Sequence, residues 1–443
     1  MSLNFPQALQ SKGLYYGYVV LIVGTIGLIA SIPGQTMGIS VFTEHLVNDL
    51  NIDRLTLSLL YLSGTLSSAF VLPLAGRLLD RIGARLLAVI ACLGLAAFLV
   101  FLAHAQKAAV LLTWLTGLSH SVTILAVVYL GFFGIRHFGQ GQLTIASRTM
   151  MGRWFVKKRG LVLGISGMFV AFAFGVSPYL LNLLITEYLW QMSLYILAVG
   201  LLGIAVLAYG LYRESPEASG LIIDGGIKYQ ATESDDTHAT NTTHQEISFS
   251  LQEAKATLTF WVFNLGLSSQ ALIVTGITFN IADIGFATGM NSAQSFSVFI
   301  YISIIAVISQ FISGYLSDRI AIKYILAVMQ ASLVAALLGL HFFGSTLGFS
   351  LVAGGLGISS GIFSLLTAAA WPKLFGRLHL GAINGFVSAC MVGASAIGPY
   401  LLSQGKAMTG DYHFVLYGIL IVPAFIFVLA FFITTPQKTL ANN

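Results

Sequence analysis

Twelve long apolar runs constrain this sequence more than any other feature. They lie near residues 15–41, 56–79, 86–104, 122–148, 160–185 and 192–212, and then near 257–283, 292–316, 322–344, 347–370, 382–404 and 413–435. A helix of about 20 apolar residues crosses a hydrocarbon core of roughly 30 Å. Because 57% of the residues are hydrophobic and only 8% are charged, a soluble enzyme, a nucleic-acid-binding protein and a single-span protein are excluded. The sequence predicts an all-α membrane protein with twelve transmembrane helices, spans 1 to 12.

A polar segment, residues 213–256, separates the first six runs from the last six. It holds eight of the sixteen acidic residues, which is typical of a solvated connection. We therefore expect an N-terminal six-helix half over residues 1–212, a cytoplasmic linker over 213–256 and a C-terminal six-helix half over 257–443.

The distribution of basic residues predicts the orientation. If the N-terminus is cytoplasmic, 17 of the 21 Lys and Arg residues fall in cytoplasmic segments. Arg54, Lys107 and Lys406 fall outside, and Arg136 falls within span 4. This excess agrees with the positive-inside rule. We expect a multi-pass protein of the plasma or inner membrane, with both termini in the cytoplasm.

Two segments of the first half recur in the second half. The signature residues Gly76, Asp80 and Arg81 after span 2 return as Gly314, Asp318 and Arg319 after span 8. The segment that ends Ser177-Pro178-Tyr179 returns as the one that ends Gly398-Pro399-Tyr400. In the first half, more residues separate the two matched segments than separate their copies in the second half. This difference predicts extra chain near residues 105–121, as an elongated outer loop or a helix extension.

The repeated signature resembles a known family. Gly76-Arg-Leu-Leu-Asp-Arg-Ile-Gly83 and its second copy resemble the loop signature of the major facilitator superfamily, and this resemblance covers nearly the whole chain. Trp154-Phe-Val-Lys-Lys-Arg-Gly160 is similar to the entry to span 5 in monocarboxylate porters and their oxalate/formate-exchanging relatives. The resemblance implies two pseudo-symmetric six-helix halves that rock around a midplane site. In that branch an arginine of span 8 pairs with the substrate carboxylate, whereas residues 292–316 contain neither arginine nor lysine.

The signature also predicts a gate on the cytoplasmic side. Asp80 is expected near the start of span 11, where unpaired N–H groups and the helix dipole favour an anion. By the pseudo-repeat, Asp318 would do the same for the start of span 5, while Arg81 and Arg319 pair locally. The alternative is that both segments are only short, positively charged turns.

Arg136 is the charged residue that lies deepest in a predicted span. A guanidinium exposed to lipid there would cost several kcal/mol, so Arg136 must face a wet or paired interior. Tyr129, Phe133, Arg136 and Gln140 are spaced to share one face of a helix. The pattern predicts an anion-binding or proton-coupling site. The alternative is a structural arginine bonded to backbone carbonyls of neighbouring spans.

Other candidate site residues are mostly uncharged. Gln35 follows Pro33-Gly34, a break in span 1 that is tolerable where it lines a cavity. Span 7 contributes Asn264, Thr275 and Asn280 as substrate contacts, although polar side chains in spans often bond their own helix. Asp283, at the outer end of span 7, is either a proton-coupling carboxyl or a solvated end residue.

The sequence contains none of the motifs of a catalytic centre, a phosphate-binding loop or a cysteine cluster. It therefore predicts a secondary transporter with no catalytic residues, metal or cofactor. The expected substrate is a small organic anion such as a monocarboxylate, moved with a proton or by exchange. The alternatives are efflux of uncharged or cationic amphiphiles and a membrane sensor that binds solute without moving it. We expect a monomer whose partners are the small-molecule substrate, the lipid bilayer and protons, and not nucleic acid.

Overall fold

The structure is a computed structural model that describes residues 5–10, 14–155, 159–221, 249–317, 319–376, 380–434 and 436. Among these residues, twelve helices are long and apolar enough to cross a membrane. Spans 1 to 6 cover Gly17–Gly34, Arg54–Leu72, Arg81–Ala103, His120–Trp154, Gly164–Tyr188 and Trp190–Leu211. Spans 7 to 12 cover Leu258–Ala287, Ser292–Ser317, Ile322–Leu340, Thr346–Phe375, Phe386–Thr409 and His413–Phe432. The predicted number and order of spans are therefore confirmed.

The two sides of the bundle follow from this order. Span 1 begins and span 6 ends on the same side, which we call the linker side because the chain between spans 6 and 7 leaves and returns there. The opposite side, where span 1 ends and span 2 begins, we call the far side. Most of the predicted linker, residues 222–248, lies outside the described residues.

Spans 2 and 3 belong to one helical segment, Arg54–Ala103, that is interrupted at Gly83. Gly83 has a φ of 84°, a left-handed conformation that glycine adopts without the steric cost of a Cβ. Glu214 stabilises this turn. One of its carboxylate oxygens accepts a hydrogen bond from the backbone N–H of Arg85 at 3.3 Å, and the other forms an ion pair with Arg153 at 2.7 Å. The signature from Gly76 to Gly83 was expected to form a loop, and this expectation is wrong, because its leucines and arginines favour a helix that continues as far as the glycine.

Span 1 is also interrupted. Its helix, Gly17–Ala30, is followed by a 3-10 turn at Ile32–Gly34 and then by the short helices Thr36–Ser40 and Thr43–Leu50. Pro33 has no N–H to donate, which removes one helical hydrogen bond, and the flexible Gly34 follows it directly, so the helix is weakened at this point. The predicted break at Pro33-Gly34 is confirmed.

Span 4 contains a second irregularity that the sequence did not reveal. It is α-helical over His120–Ile135 and Thr144–Trp154, with a π-helix over Arg136–Leu143 between them. A β-carbon added to Gly34 would lie 2.4 Å from the Ile135 carbonyl oxygen and 2.7 Å from the Gly139 Cα. The broken part of span 1 and the π-helix of span 4 therefore touch through their backbones, and only glycine fits at this contact.

The packing of the spans repeats between the first six and the last six. Span 1 packs on span 5, and span 7 packs on span 11 in the same way. The packing of span 2 on span 4 is repeated by span 8 on span 10. The packing of span 3 on span 6 is repeated by span 9 on span 12. Between the two sets, span 5 packs on span 8 and span 2 on span 11, and the short helix Thr36–Ser40 that follows span 1 packs on span 7.

The extra chain near residues 105–121 is a helix extension. It forms the helix Ala105–Thr116, which ends at Gly117 with a φ of 70°. The hydroxyls of Thr113 and Thr123 lie 2.7 Å apart and join this helix to the start of span 4. The extension therefore lengthens the hairpin of spans 3 and 4 on the far side.

Candidate functional site

A cavity of about 280 Å³ lies among spans 1, 2, 4 and 5, with one residue of span 11 at its wall. Its lining residues are Leu28, Gln35, Thr65, Ser68, Ala69, Leu72, Gln140, Gly141, Thr144, Arg148, Val170, Phe174 and Val392. The lining combines one cation, two carboxamides and three hydroxyls with an apolar remainder. Few, convergent polar groups in a mostly apolar cavity are typical of small-molecule sites.

Arg148 is the cation of this cavity. The apolar run of span 4 ends at residue 148, so the sequence predicts that Arg148 is one of the cytoplasmic residues. The helix itself continues six residues further, to Trp154, or about 9 Å. The Arg148 side chain is exposed, and it forms no hydrogen bond or ion pair with any residue that the structure describes. An exposed guanidinium without a described protein partner is free to bind water or an anion in the cavity.

Neutral hydrogen-bonding groups lie beside Arg148. The Gln35 amide nitrogen donates to the Ser31 hydroxyl at 3.0 Å and lies 3.5 Å from the Thr144 hydroxyl. The Thr65 hydroxyl is buried and has no partner among the described residues. Gln140, which the sequence analysis selected, also lines the cavity. These groups offer donors and acceptors to a polar solute at the same place as the cation.

Arg136 lies outside this cavity and is 2% exposed. One Nη donates to the Gly34 carbonyl oxygen at 3.1 Å, and the guanidinium carbon lies 5.3 Å from the centre of the Tyr61 ring. Its Nε has no partner among the described residues. Arg136 thus fastens the broken part of span 1 to span 4, which matches the structural alternative. Tyr129 is separate from it and shares a 2.9 Å hydrogen bond with Ser67.

Tyr129, Arg136 and Gln140 would share one face only if span 4 were an uninterrupted α-helix. From Arg136 to Leu143 the helix is a π-helix, which rotates less per residue. The three side chains consequently have three different surroundings. Helical spacing alone does not reveal such an insertion.

Of the span 7 candidates, Asn264 and Asn280 are buried and Thr275 is half-buried, and none of them lines this cavity. The Asn280 amide donates to the Gly276 carbonyl at 3.0 Å and accepts from Ser403 at 3.1 Å. The Thr275 hydroxyl is 2.8 Å from the Ser395 carbonyl of span 11. Asn264 is 1% exposed, and its side-chain oxygen has no partner among the described residues.

A charged cluster joins the two sets of spans on the far side. Asp283 accepts hydrogen bonds from Lys406 at 2.6 Å and from Tyr412 at 2.5 Å, both in the last six spans. The Arg54 Nε, at the start of span 2, lies 3.4 Å from the same carboxylate and its Nη2 pairs with Glu44. We call these five residues the far-side cluster. Asp283 is therefore neither free nor merely solvated.

Further contacts reinforce this closure. The hydroxyls of Ser58 and Ser403 lie 2.6 Å apart, and the rings of Tyr61 and Phe279 are 4.7 Å apart. Both pairs connect span 2 to the last six spans within a few turns of the far-side ends. The named side-chain contacts between the two sets thus concentrate on the far side, within the part of the chain that the structure describes.

The predicted gate on the linker side is only partly described. Asp318 and the side chain of Asp80 lie outside the described residues. Arg319 packs over the Tyr315 ring at 4.0 Å, and a β-carbon on Gly76 or Gly314 would meet nothing within 4 Å. Arg81 is exposed. The helix-end latch therefore stays a prediction. No group of three His, Cys, Asp or Glu side chains among the described residues could hold a metal ion.

Comparison with known proteins assigns the family. A family model described as Major Facilitator Superfamily matches residues 23–399. No curated protein matches the sequence. A solved D-xylose-proton symporter is similar with a TM-score of 0.65 at 12% identity, over 96% of this chain and 99% of that chain. A bacterial homolog of the human lysosomal transporter Spinster, inward-facing and occupied, has a TM-score of 0.61 at 14% identity, over 96% and 97% of the two chains.

At these identities the likeness to solved structures shows the fold: twelve helices in two pseudo-symmetric halves of six. The family model adds the assignment, because its match covers most of the chain. The chain therefore belongs to the major facilitator superfamily, as a multi-pass membrane transporter rather than an enzyme.

Proposed function

We propose that this transporter carries a small organic anion, such as a monocarboxylate, by alternating access, together with a proton or in exchange for a second anion. The observation that carries the proposal is Arg148. Its guanidinium is exposed in a cavity within the spans and has no carboxylate partner among the described residues. A planar fork of N–H donors in such a place suits a carboxylate, which it binds through two parallel hydrogen bonds.

The surrounding groups would set the selectivity. Gln35, Gln140 and Thr144 can bond a hydroxyl or carbonyl of the solute, and the Thr65 hydroxyl would gain the partner that it lacks. Because the cavity holds a single cation, a monoanion neutralises it and a dianion would bring an unpaired charge. The proposed site therefore favours small monoanions with neutral polar groups.

We propose that Arg136 and Tyr129 hold the residues of the site in position without contacting the substrate. Arg136 holds Gly34, the residue before Gln35, so it positions the carboxamide that faces the substrate. Tyr129 keeps span 4 against span 2 through Ser67. Both are positioning residues rather than direct substrate contacts in this state.

Alternating access would work through the far-side cluster. With Asp283 and Arg54 in contact, the far side is closed, and the substrate reaches Arg148 from the linker side. When the halves, residues 1–212 and 257–443, rock the other way, the cluster separates and Asp283 meets the external solution. There it could bind the coupled proton, by analogy with the xylose-proton symporter. Asn264, Thr275 and Asn280 would join the site as span 7 moves.

The orientation belongs to the same proposal. The basic residues on the linker side assign that side to the cytoplasm, with residues 213–256 as a cytoplasmic linker and both termini inside. The far side would then face the exterior of the plasma or inner membrane. Gly76, Asp80, Arg81 and their second copy would form the cytoplasmic gate.

The test compares Arg148→Gln and Arg148→Lys with the wild-type protein and with Lys107→Gln, which removes an exposed charge far from the cavity. Binding of acetate, lactate and oxalate is measured by thermal shift, and their exchange is measured in proteoliposomes. A charged hydrogen-bonding group contributes about 1.5–3 kcal/mol, so Arg148→Gln should weaken carboxylate binding by about 10- to 150-fold. Arg148→Lys should be impaired because the fork is lost, and Lys107→Gln should match the wild type.

The outcomes also separate the alternatives. Tight carboxylate binding in Arg148→Gln would remove the basis for an anionic substrate. Binding of uncharged or cationic amphiphiles, but of no carboxylate, would favour an efflux carrier for those solutes. Binding without any exchange across the liposome membrane would favour a sensor.

A further inference from the structure

An apolar groove of about 560 Å³ lies among spans 1, 5 and 6. Its lining includes Ile32 and Pro33 of span 1, Ala173 and Phe172 of span 5 and Gly200 of span 6. Ser177, the one hydroxyl in its lining, is already bonded to the Phe174 carbonyl at 2.9 Å. The groove therefore offers no free hydrogen-bonding side chain and suits only an apolar occupant.

The groove opens towards the lipid. Its rim residues Phe172, Leu180 and Ile196 are 49%, 56% and 40% exposed, although they lie inside spans. In a membrane the medium at this position is hydrocarbon. An occupant that enters from that medium is an alkyl chain.

The groove and the Arg148 cavity are neighbours. Phe174 lines the cavity and Ala173, the residue before it, lines the groove. In span 1, Gln35 lines the cavity and Pro33 lines the groove, on either side of Gly34. Only the contact between span 1 and span 5 separates the two spaces, and it lies where span 1 is broken.

We propose that the groove binds the alkyl tail of an amphiphilic organic anion whose carboxylate lies at Arg148. This inference rests on the proposed function, since it uses the same cation for the head group. The tail crosses the contact between spans 1 and 5 beside Pro33 and lies in the groove, while the carboxylate reaches Arg148 from the linker side. The chemical class is then a medium- or long-chain carboxylate rather than a fully water-soluble acid.

Gly200 gives a clean way to fill the groove. A β-carbon at Gly200 would meet nothing within 4 Å, so Gly200→Phe adds a ring without a clash at its first atom. Gly203, one turn along the same helix, is equally free of contacts and does not line the groove. Gly203→Phe is therefore the matched control for folding and for added apolar surface.

The experiment measures Kd for butanoate, hexanoate, octanoate and decanoate with the full-length protein in nanodiscs, after subtraction of uptake by empty nanodiscs. Each buried methylene contributes about 0.8 kcal/mol, so the wild-type Kd should fall by up to about fourfold per methylene. In Gly200→Phe the Kd for butanoate should be unchanged and the fall with chain length should vanish. Gly203→Phe should behave like the wild type.

Two results would overturn the inference: a wild-type Kd that is independent of chain length, or a chain-length dependence that persists in Gly200→Phe. The first result is also expected if phospholipid tails alone fill the groove. Arg148→Gln separates this inference from the proposed function. If it leaves butanoate binding intact, the anion site is wrong. If it abolishes butanoate binding while the wild type shows no length dependence, the anion site stands and the groove proposal fails.

Discussion

The Asp283→Asn substitution should shift the protein towards states that are open on the far side. Within the far-side cluster, Lys406 and Tyr412 belong to the same half as Asp283, so the Arg54 contact at 3.4 Å is the charged link between the halves. The side chains of Arg54 and Asp283 are only 14% and 16% exposed. The substitution keeps the shape and removes the charge.

The size of the shift follows from this geometry. Exposed ion pairs contribute about 0.2–1 kcal/mol, and hydrogen bonds to charged groups contribute about 1.5–3 kcal/mol. The contact between Arg54 and Asp283 is mostly buried but longer than ideal, so we assign it about 1–2 kcal/mol. The ratio of far-side-open to far-side-closed protein should therefore rise by a factor of about 5–30.

Double electron-electron resonance measures this ratio directly. Spin labels at Asn48 and Ala287, both exposed, report the distance between the halves on the far side in a background without Cys92 and Cys390. The matched control is Asp49→Asn, which removes another far-side carboxylate whose partner, Trp190, is in the same half. The control should keep the wild-type distance distribution. An unchanged distribution in Asp283→Asn would refute the assignment of this cluster as the far-side gate.

Two further predictions concern stability and one concerns transport. Arg136→Gln should lower the unfolding temperature, because the buried Gly34 carbonyl loses its donor, and a thermal melt checks this. Gly34→Ala should abolish transport in proteoliposomes, because its Cβ would lie 2.4 Å from a carbonyl oxygen, whereas Gly203→Ala should be silent. Asp53→Ala should cost about 1 kcal/mol by removing the N-cap of span 2. Although burial opposes it, hydrogen bonds from Thr56 lower the pKa of Asp53, so this cost should disappear in melts at acidic pH, below that pKa.

Hydropathy was sufficient to predict the spans, because the bilayer requires long apolar helices with internally satisfied backbones. The break at Pro33-Gly34 was predictable from the sequence because a proline without an N–H is followed directly by a flexible glycine. The π-helix over Arg136–Leu143 was not predictable, because it depends on the backbone contact with Gly34 in another span.

The charged residues show where sequence reasoning falls short. Arg54 and Lys406 are two of the three basic residues that depart from the positive-inside pattern, and both belong to the far-side cluster. Their partner Asp283 is distant in sequence, so only the fold brings the three together. Arg148, which lines the cavity, was not selected from the sequence because a basic residue at the end of an apolar run is typical of a loop. The spacing of Thr144 and Arg148, one α-helical turn apart, was the available signal.

The central claim is that Arg148 holds the carboxylate of the substrate. The most direct measurement is a structure of the protein with bound bromoacetate, in which the bromine is located by its anomalous signal. We expect the carboxylate oxygens of bromoacetate to lie about 2.7–2.9 Å from the guanidinium nitrogens of Arg148, beside Gln35 and Thr144. Bromoacetate bound elsewhere in the protein, with Arg148 in contact only with water, would contradict it.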